Sequence, residues 1–356
     1  MLNGVKLGAV VVLLVAGVGA AACPICYRDM GLTTAQQIAV ANRVLIVLPA
    51  MAGTEMRVVA VIKGSGTVDD LVQATAPGLE QAASGDSGPL LVVQADASSP
   101  WSIVGAVGPE HADWLRRMAA VTLAMDAADR QWRDRIAIVV PYLGHREPLI
   151  SAIAYGQLAA APYAALRSLR GQLDPARYAS QLDGPMQHPL YTLLYGIAGG
   201  PHDADEIERR LAAAWKRNDA TNLAALIAAY LELRGSSRVA WVETMYFADR
   251  QRTLPEIRAA LLALSMHGTT NAAVSRERVI QAYRLFMKER KAMAGFVAPD
   301  LAGWHYWDAG PEYLALLKAN ALPDPASRLA VVAYLTQSPR ADAKAAVKSL
   351  KASTKR

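Results

Sequence analysis

A change in hydrophobic texture near residue 108 constrains this chain more than any other feature. Before it, the apolar residues come as short β-branched runs: Ile38–Val47, Met56–Ile62, Val68–Ala74, Leu90–Val93 and Trp101–Val104. Gly64-Ser65-Gly66, Pro77-Gly78 and Ser84–Pro89 separate them as turn clusters. Five short strands in so few residues predict a partly open Greek-key barrel or a small sandwich. After Glu110 the period becomes helical, as in Ile207, Leu211, Trp215 and in Val279, Tyr283, Phe286, with Pro and Gly between the segments. The expected class is therefore α+β, a five-stranded β unit over 23–108 followed by helices over 109–352 and a basic tail at 353–356.

The helices read as hairpins that begin near Arg146, His188, Thr221, Leu254, Gly295 and Asp324, at irregular steps of 29 to 42 residues. The clearest unit runs from His145-Arg146-Glu147-Pro148 through Tyr155-Gly156 and Pro162-Tyr163 to Leu173-Asp174-Pro175. It resembles a HEAT hairpin, with a polar turn and proline before its first helix, small residues inside it and an Asp-Pro after the second. The resemblance implies an α-solenoid of HEAT-like or armadillo-like repeats, each pair burying its apolar face on the next.

The N-terminus carries an address. Lys6 precedes an uncharged run from Leu7 to Gly19 and then Ala20-Ala21-Ala22, the order of a secretory signal over residues 1–22. The run is shorter than a membrane-spanning helix needs. Export to the periplasm or the exterior is the expectation. Cleavage after Ala22 leaves Cys23 first, which also resembles a bacterial lipoprotein signal, although Ala20 stands where that signal usually has a larger aliphatic residue. Cys23-Pro24-Ile25-Cys26 leaves two readings open, a local disulfide formed outside the reducing cytoplasm or a lipidated Cys23 attached to the membrane. It lacks the preceding strand of a thioredoxin-type pair and the histidine of a haem site, since Tyr27 follows.

An N-terminal cysteine before a five-stranded unit with Val58–Gly64 is similar to the netrin-like OB domains that include metalloproteinase inhibitors. That likeness implies an OB-like fold, but the family's C-x-C and its further cysteines are missing here. Gly85-Asp86-Ser87-Gly88-Pro89 resembles the nucleophile segment of chymotrypsin-like proteases. All six histidines follow Ser87, whereas that family's base precedes its serine, so the segment reads as a turn. Taken whole, the chain resembles a group of exported bacterial proteins with an OB/netrin-like N-terminal unit and HEAT-like repeats, a resemblance that implies no activity.

Candidate chemistry is sparse. His145 and Glu147 share a turn, but two ligands one residue apart make no metal site; no metal and no cofactor are expected. No glycine-rich phosphate loop opens a helix, and a net charge of +6 over 356 residues does not call for nucleic acid. Asp203, Asp205, Glu206 and Glu208 crowd a helix start as a cap would. Trp304, His305, Tyr306 and Trp307 form the most aromatic stretch and the candidate interaction surface. The resulting expectation is an exported, non-enzymatic binding or scaffold protein of the bacterial envelope that presents its helical surface to a protein partner. The alternative is an envelope hydrolase or a redox or metal-handling protein, working through the CxxC or a cleft between the two units and using His111, His145 or Cys26.

Overall fold

The computed structural model describes residues 25–26, 33–50, 55–73, 77–83, 88–120, 129–182, 189–269 and 271–353. The signal segment, Cys23, residues 85–87 of the protease-like turn and residues 354–356 lie outside them.

Thr33 and Gln36 form a reciprocal capping box, so the chain enters helix α1 (Thr34–Val40) where Ile38–Val40 had suggested strand. The sheet follows as β1 (Arg43–Pro49), β2 (Glu55–Lys63) and β3 (Leu71–Gln73), then helix α2 (Pro77–Ala83), then β4 (Leu90–Gln94) and β5 (Ser102–Ala106). Pro77-Gly78 thus opens a helix instead of making a turn, proline being well suited to the first helical position. The turn expected at Gly64-Ser65-Gly66 is present, with Gly64 at φ +84° and a would-be Cβ running into the Asn42 carbonyl.

The five strands pair antiparallel in the order β3-β2-β1-β4-β5. Where a partly open barrel or a small sandwich is expected, the structure has a single open sheet, with β3 and β5 as separate edges. Closure needs those edges to hydrogen-bond, and β3 offers only three residues, all paired with β2.

Both sheet faces are covered. Val44 and Ile46 point to one side with Leu91, while Leu45 and Val47 point to the other with Val92, as strand alternation requires. In β2 the register slips between the partners of Ile46 and Val47. This bulge puts Met56 and Val58 on the opposite face from Ala60 and Ile62 and coils the strand. The first face joins the helical core. The second forms a small separate core with Leu79 of α2 and Trp101.

The main core runs without a break from Ile25 to Val347. Helix α3 (Ala112–Ala120) lies against β2, with Arg116 Nε donating to the Val61 carbonyl at 2.8 Å. Then come α4 (Asp129–Val139), α5 (Pro148–Ala159), α6 (Tyr163–Arg167), α7 (Pro175–Ala179), α8 (Pro189–Ala198), α9 (Pro201–Arg217) and α10 (Leu223–Arg234). The short α11 (Val239–Val242) runs into a π-helical turn (Glu243–Ala248), followed by α12 (Leu254–His267) and α13 (Arg276–Glu289). Beyond a 3-10 segment (Lys291–Val297) lie α14 (Ala298–Gly303), α15 (Gly310–Lys318), α16 (Pro325–Gln337) and α17 (Ala341–Ser353).

Several of these helices begin where proline and cap residues announce them. Thr253 and Glu256 box the start of α12, and Asp324 caps α16. Helix α8 packs on α10 and α10 on α12. Nearly every side chain of α10 is buried, which makes it the central rod. At its crossing with α8, a Cβ on Gly196 would come within 2.5 Å of Ala229 Cα, so the glycine is what lets the two backbones meet. Among the described residues no helix is long and apolar enough to cross a membrane.

Candidate functional site

Cys26 is disulfide-bonded and buried, and its carbonyl accepts from the Tyr155 hydroxyl of α5 at 3.3 Å. The N-terminal region is thereby tied to the first long helix. A disulfide-held, buried sulfur is not a thiolate nucleophile. Cys23 lies outside the described residues.

Of the aromatic stretch after α14, His305 is exposed, at φ +56°. Trp304 stacks on Tyr283 with centroids 5.6 Å apart, Trp307 lies 5.2 Å from Tyr334, and the Tyr306 carbonyl accepts from the Tyr334 hydroxyl at 2.6 Å. These three residues are half-buried against α13 and α16, so much of their ring surface is already in use. The acidic run of α9 is also occupied. Asp203 accepts from the Gly200 N–H at 2.8 Å, and Asp205 and Glu208 both pair with Arg234.

Two polar clusters were not visible in the sequence. The first is buried between α6, α10 and α12. Glu232, its side chain fully enclosed, faces Arg170 Nη2 at 2.6 Å and Arg167 Nε at 2.7 Å; the latter is an ion pair too far off axis to be a hydrogen bond. The Tyr163 hydroxyl donates to the same carboxylate and lies 3.3 Å from His267 Nδ1. His267 Nε2 meets the Ala228 carbonyl at 3.1 Å, and since a carbonyl only accepts, Nε2 carries the proton. Burial first, and the Glu232 charge second, push the Tyr163 phenol well up. Burial holds His267 below its ordinary value, hence neutral.

The second cluster sits where the sheet meets the helices. β5 ends in a 3-10 turn, Pro109–His111, that turns His111 toward the loop before α5. There Glu147, at the N-cap of α5, caps nothing with its side chain. Its Oε1 lies 3.0 Å from His111 Nε2, and its Oε2 is buried without a hydrogen-bond partner. Glu110 Oε1 is 4.0 Å from the same nitrogen. His145 meets the His111 ring edge-on at 5.1 Å, while its Nδ1 accepts from the Glu147 N–H at 3.2 Å. Sequence reasoning named His111, His145 and Glu147 without joining them and missed Glu110, because only the path of β5 brings the two segments together.

A groove of about 320 Å³ opens on the helical surface between α9, α10 and α11. Trp215, Tyr230, Trp241 and Met245 wall it, with Lys216, Arg238 and Glu208 at its rim. Tyr230 and Trp241 pack edge to face at 5.3 Å, and Arg252 of the next loop stacks on Trp215 at 4.5 Å. Glu208 is paired with Arg234 at 3.2 Å, whereas neither Lys216 nor Arg238 has an ion-pair partner among the described residues. The helical spacing of Leu211 and Trp215 had marked a buried stripe, but not the opening beside it.

No protein-family model, curated protein or solved structure shows significant similarity to the chain.

Proposed function

We propose that the chain is an exported, non-enzymatic docking protein of the bacterial envelope, whose helical surface takes a segment of a protein partner. The observation that carries this reading is the groove walled by Trp215, Tyr230, Trp241 and Met245. Trp215, Trp241 and Met245 are only half-buried within the chain, with Tyr230 buried behind them, and the two unpaired rim cations favour an acidic neighbour. The occupant is a segment that inserts one aromatic or large aliphatic side chain and flanks it with carboxylates. Export rests on the N-terminal pattern of residues 1–22, and periplasmic placement with it.

The finer fold readings belong to the same proposal. Serial packing of α8, α10 and α12, and helix starts close to the expected unit boundaries, support HEAT-like stacking in an α-solenoid. The strand order, with a helix between β3 and β4, supports an OB-like unit left open.

The test uses two blocked tetrapeptides, each with tryptophan and leucine at its centre, one flanked by glutamates and the other by lysines. Calorimetry on the purified protein should favour the acidic peptide by up to roughly tenfold, since exposed charge pairs contribute ~0.2–1 kcal/mol each. Trp241→Ala should abolish binding, and Arg238→Glu should remove the preference. Equal binding of both peptides, unchanged by either substitution, would refute the groove as a docking site.

A further inference from the structure

We infer that Glu110, His111 and Glu147 form a binding site for a divalent transition ion of the zinc type. This inference does not depend on the docking groove, which lies elsewhere on the helices. Each of the three residues offers one ligand atom, and those atoms lie within 4.8 Å of one another. A zinc ion with ligands at ~2.0–2.2 Å sets its donor atoms roughly 3.4 Å apart in a tetrahedron. His111 Nε2 and Glu147 Oε1, at 3.0 Å, already approach that spacing. Glu110 Oε1, at 4.0 Å from the same nitrogen, needs only a small side-chain movement, and with 62% of its side chain exposed it has room to make it.

The second observation is the orphan oxygen. Glu147 Oε2 is buried and has no hydrogen-bond partner, an arrangement that costs free energy unless something supplies the missing contact. A cation beside the imidazole that Glu147 holds through both oxygens supplies it and takes the place of the Nε2 proton. The surroundings fix the ligands as a metal site requires. Pro109 and the end of β5 hold the His111 backbone, and its ring is only 12% exposed. His145 packs edge-on against that ring and holds the Glu147 N–H.

One imidazole with two carboxylates selects a borderline ion over Ca²⁺ or Mg²⁺, which prefer all-oxygen shells. With three protein ligands, the fourth position is left to water, the arrangement of an open site. The disulfide at Cys26 keeps that sulfur out of competition.

The experiment titrates chelator-treated, full-length protein with Zn²⁺ by calorimetry, with Ca²⁺ and Mg²⁺ as competitors. The inference expects one Zn²⁺ per chain, unaffected by millimolar Ca²⁺ or Mg²⁺. His111→Ala should abolish stoichiometric binding, and Glu110→Gln, a change at an exposed side chain, should weaken it by roughly tenfold or more. Co²⁺ in place of zinc should give a visible ligand-field spectrum that His111→Ala loses. Circular dichroism of each variant separates loss of the site from loss of the fold. No stoichiometric zinc, zinc binding retained in folded His111→Ala, or displacement by Ca²⁺ would each overturn the inference.

Discussion

The two polar clusters use the same kinds of side chain to opposite ends. Around Glu232 a buried carboxylate is met at both oxygens by two guanidiniums and a phenol, and the neighbouring imidazole is anchored through Nε2 on the Ala228 carbonyl. Around Glu147 a carboxylate that is 27% exposed keeps one buried oxygen with nothing to accept from. The first cluster is closed and joins three helices. The second is open and sits at a junction. A buried carboxylate with both oxygens engaged holds a core together, whereas a buried carboxylate oxygen with no donor at a junction marks where a ligand is to be sought.

The sharpest way to break this contrast is to remove the carboxylate at the centre of the closed cluster. Glu232→Ala leaves Arg167 and Arg170, whose side chains are 22% and 49% exposed, without their counter-ion, and the buried Tyr163 hydroxyl without its acceptor. An unpaired buried hydroxyl, together with two partly screened charges, costs ~1–3 kcal/mol. Urea or thermal unfolding should show that loss, and a change under about 1 kcal/mol would mean that Glu232 is not the network's keystone.

A smaller effect follows from His267. Burial holds its folded value below the ordinary one of about 6.5, so the folded state resists a proton that the unfolded chain accepts. Stability is therefore full above about pH 6.5 and declines as pH falls from there toward the folded value. Asp300, raised by burial, acts with the opposite sign, since its neutral form is the favoured one and lower pH stabilises it. The balance between pH 7.5 and 5.5 is then read by comparing melting temperatures of the native chain and His267→Gln. The native chain should lose more on acidification than the variant does. Parallel curves would show that His267 is not held neutral by its surroundings.

What could be read beforehand divides along physical lines. Strand and helix identities are local, and β2, β4 and β5 and the starts of α5, α8, α10, α12 and α16 follow from β-branched runs, prolines and caps. The error at Ile38–Val40 is also local. There the Thr33–Gln36 capping box outweighs three β-favouring or neutral residues, and the box was itself legible. Barrel closure is not local, because it depends on whether a three-residue edge can reach another edge across the sheet. The metal-like cluster was least legible of all. Glu110 and His111 face Glu147 only because β5 ends beside the loop that opens α5, and no spacing rule connects segments placed that way.

The smallest expected effect belongs to the open cluster, and it sharpens the contrast most. Glu147→Gln removes the charge that faces His111, but it strips no buried partner from Oε2, because none is there. The pair is partly solvated, its side chains 12% and 27% exposed, so its attraction is screened and the loss in metal-free protein should stay within about 1 kcal/mol. The same substitution should remove the gain in melting temperature that zinc gives the native chain, since an ion that binds only the folded state stabilises it by mass action. Little change without metal, together with a lost response to metal, is the signature of a residue placed for a ligand. A loss as large as that of Glu232→Ala, or an undiminished zinc response, would put Glu147 with the structural residues instead.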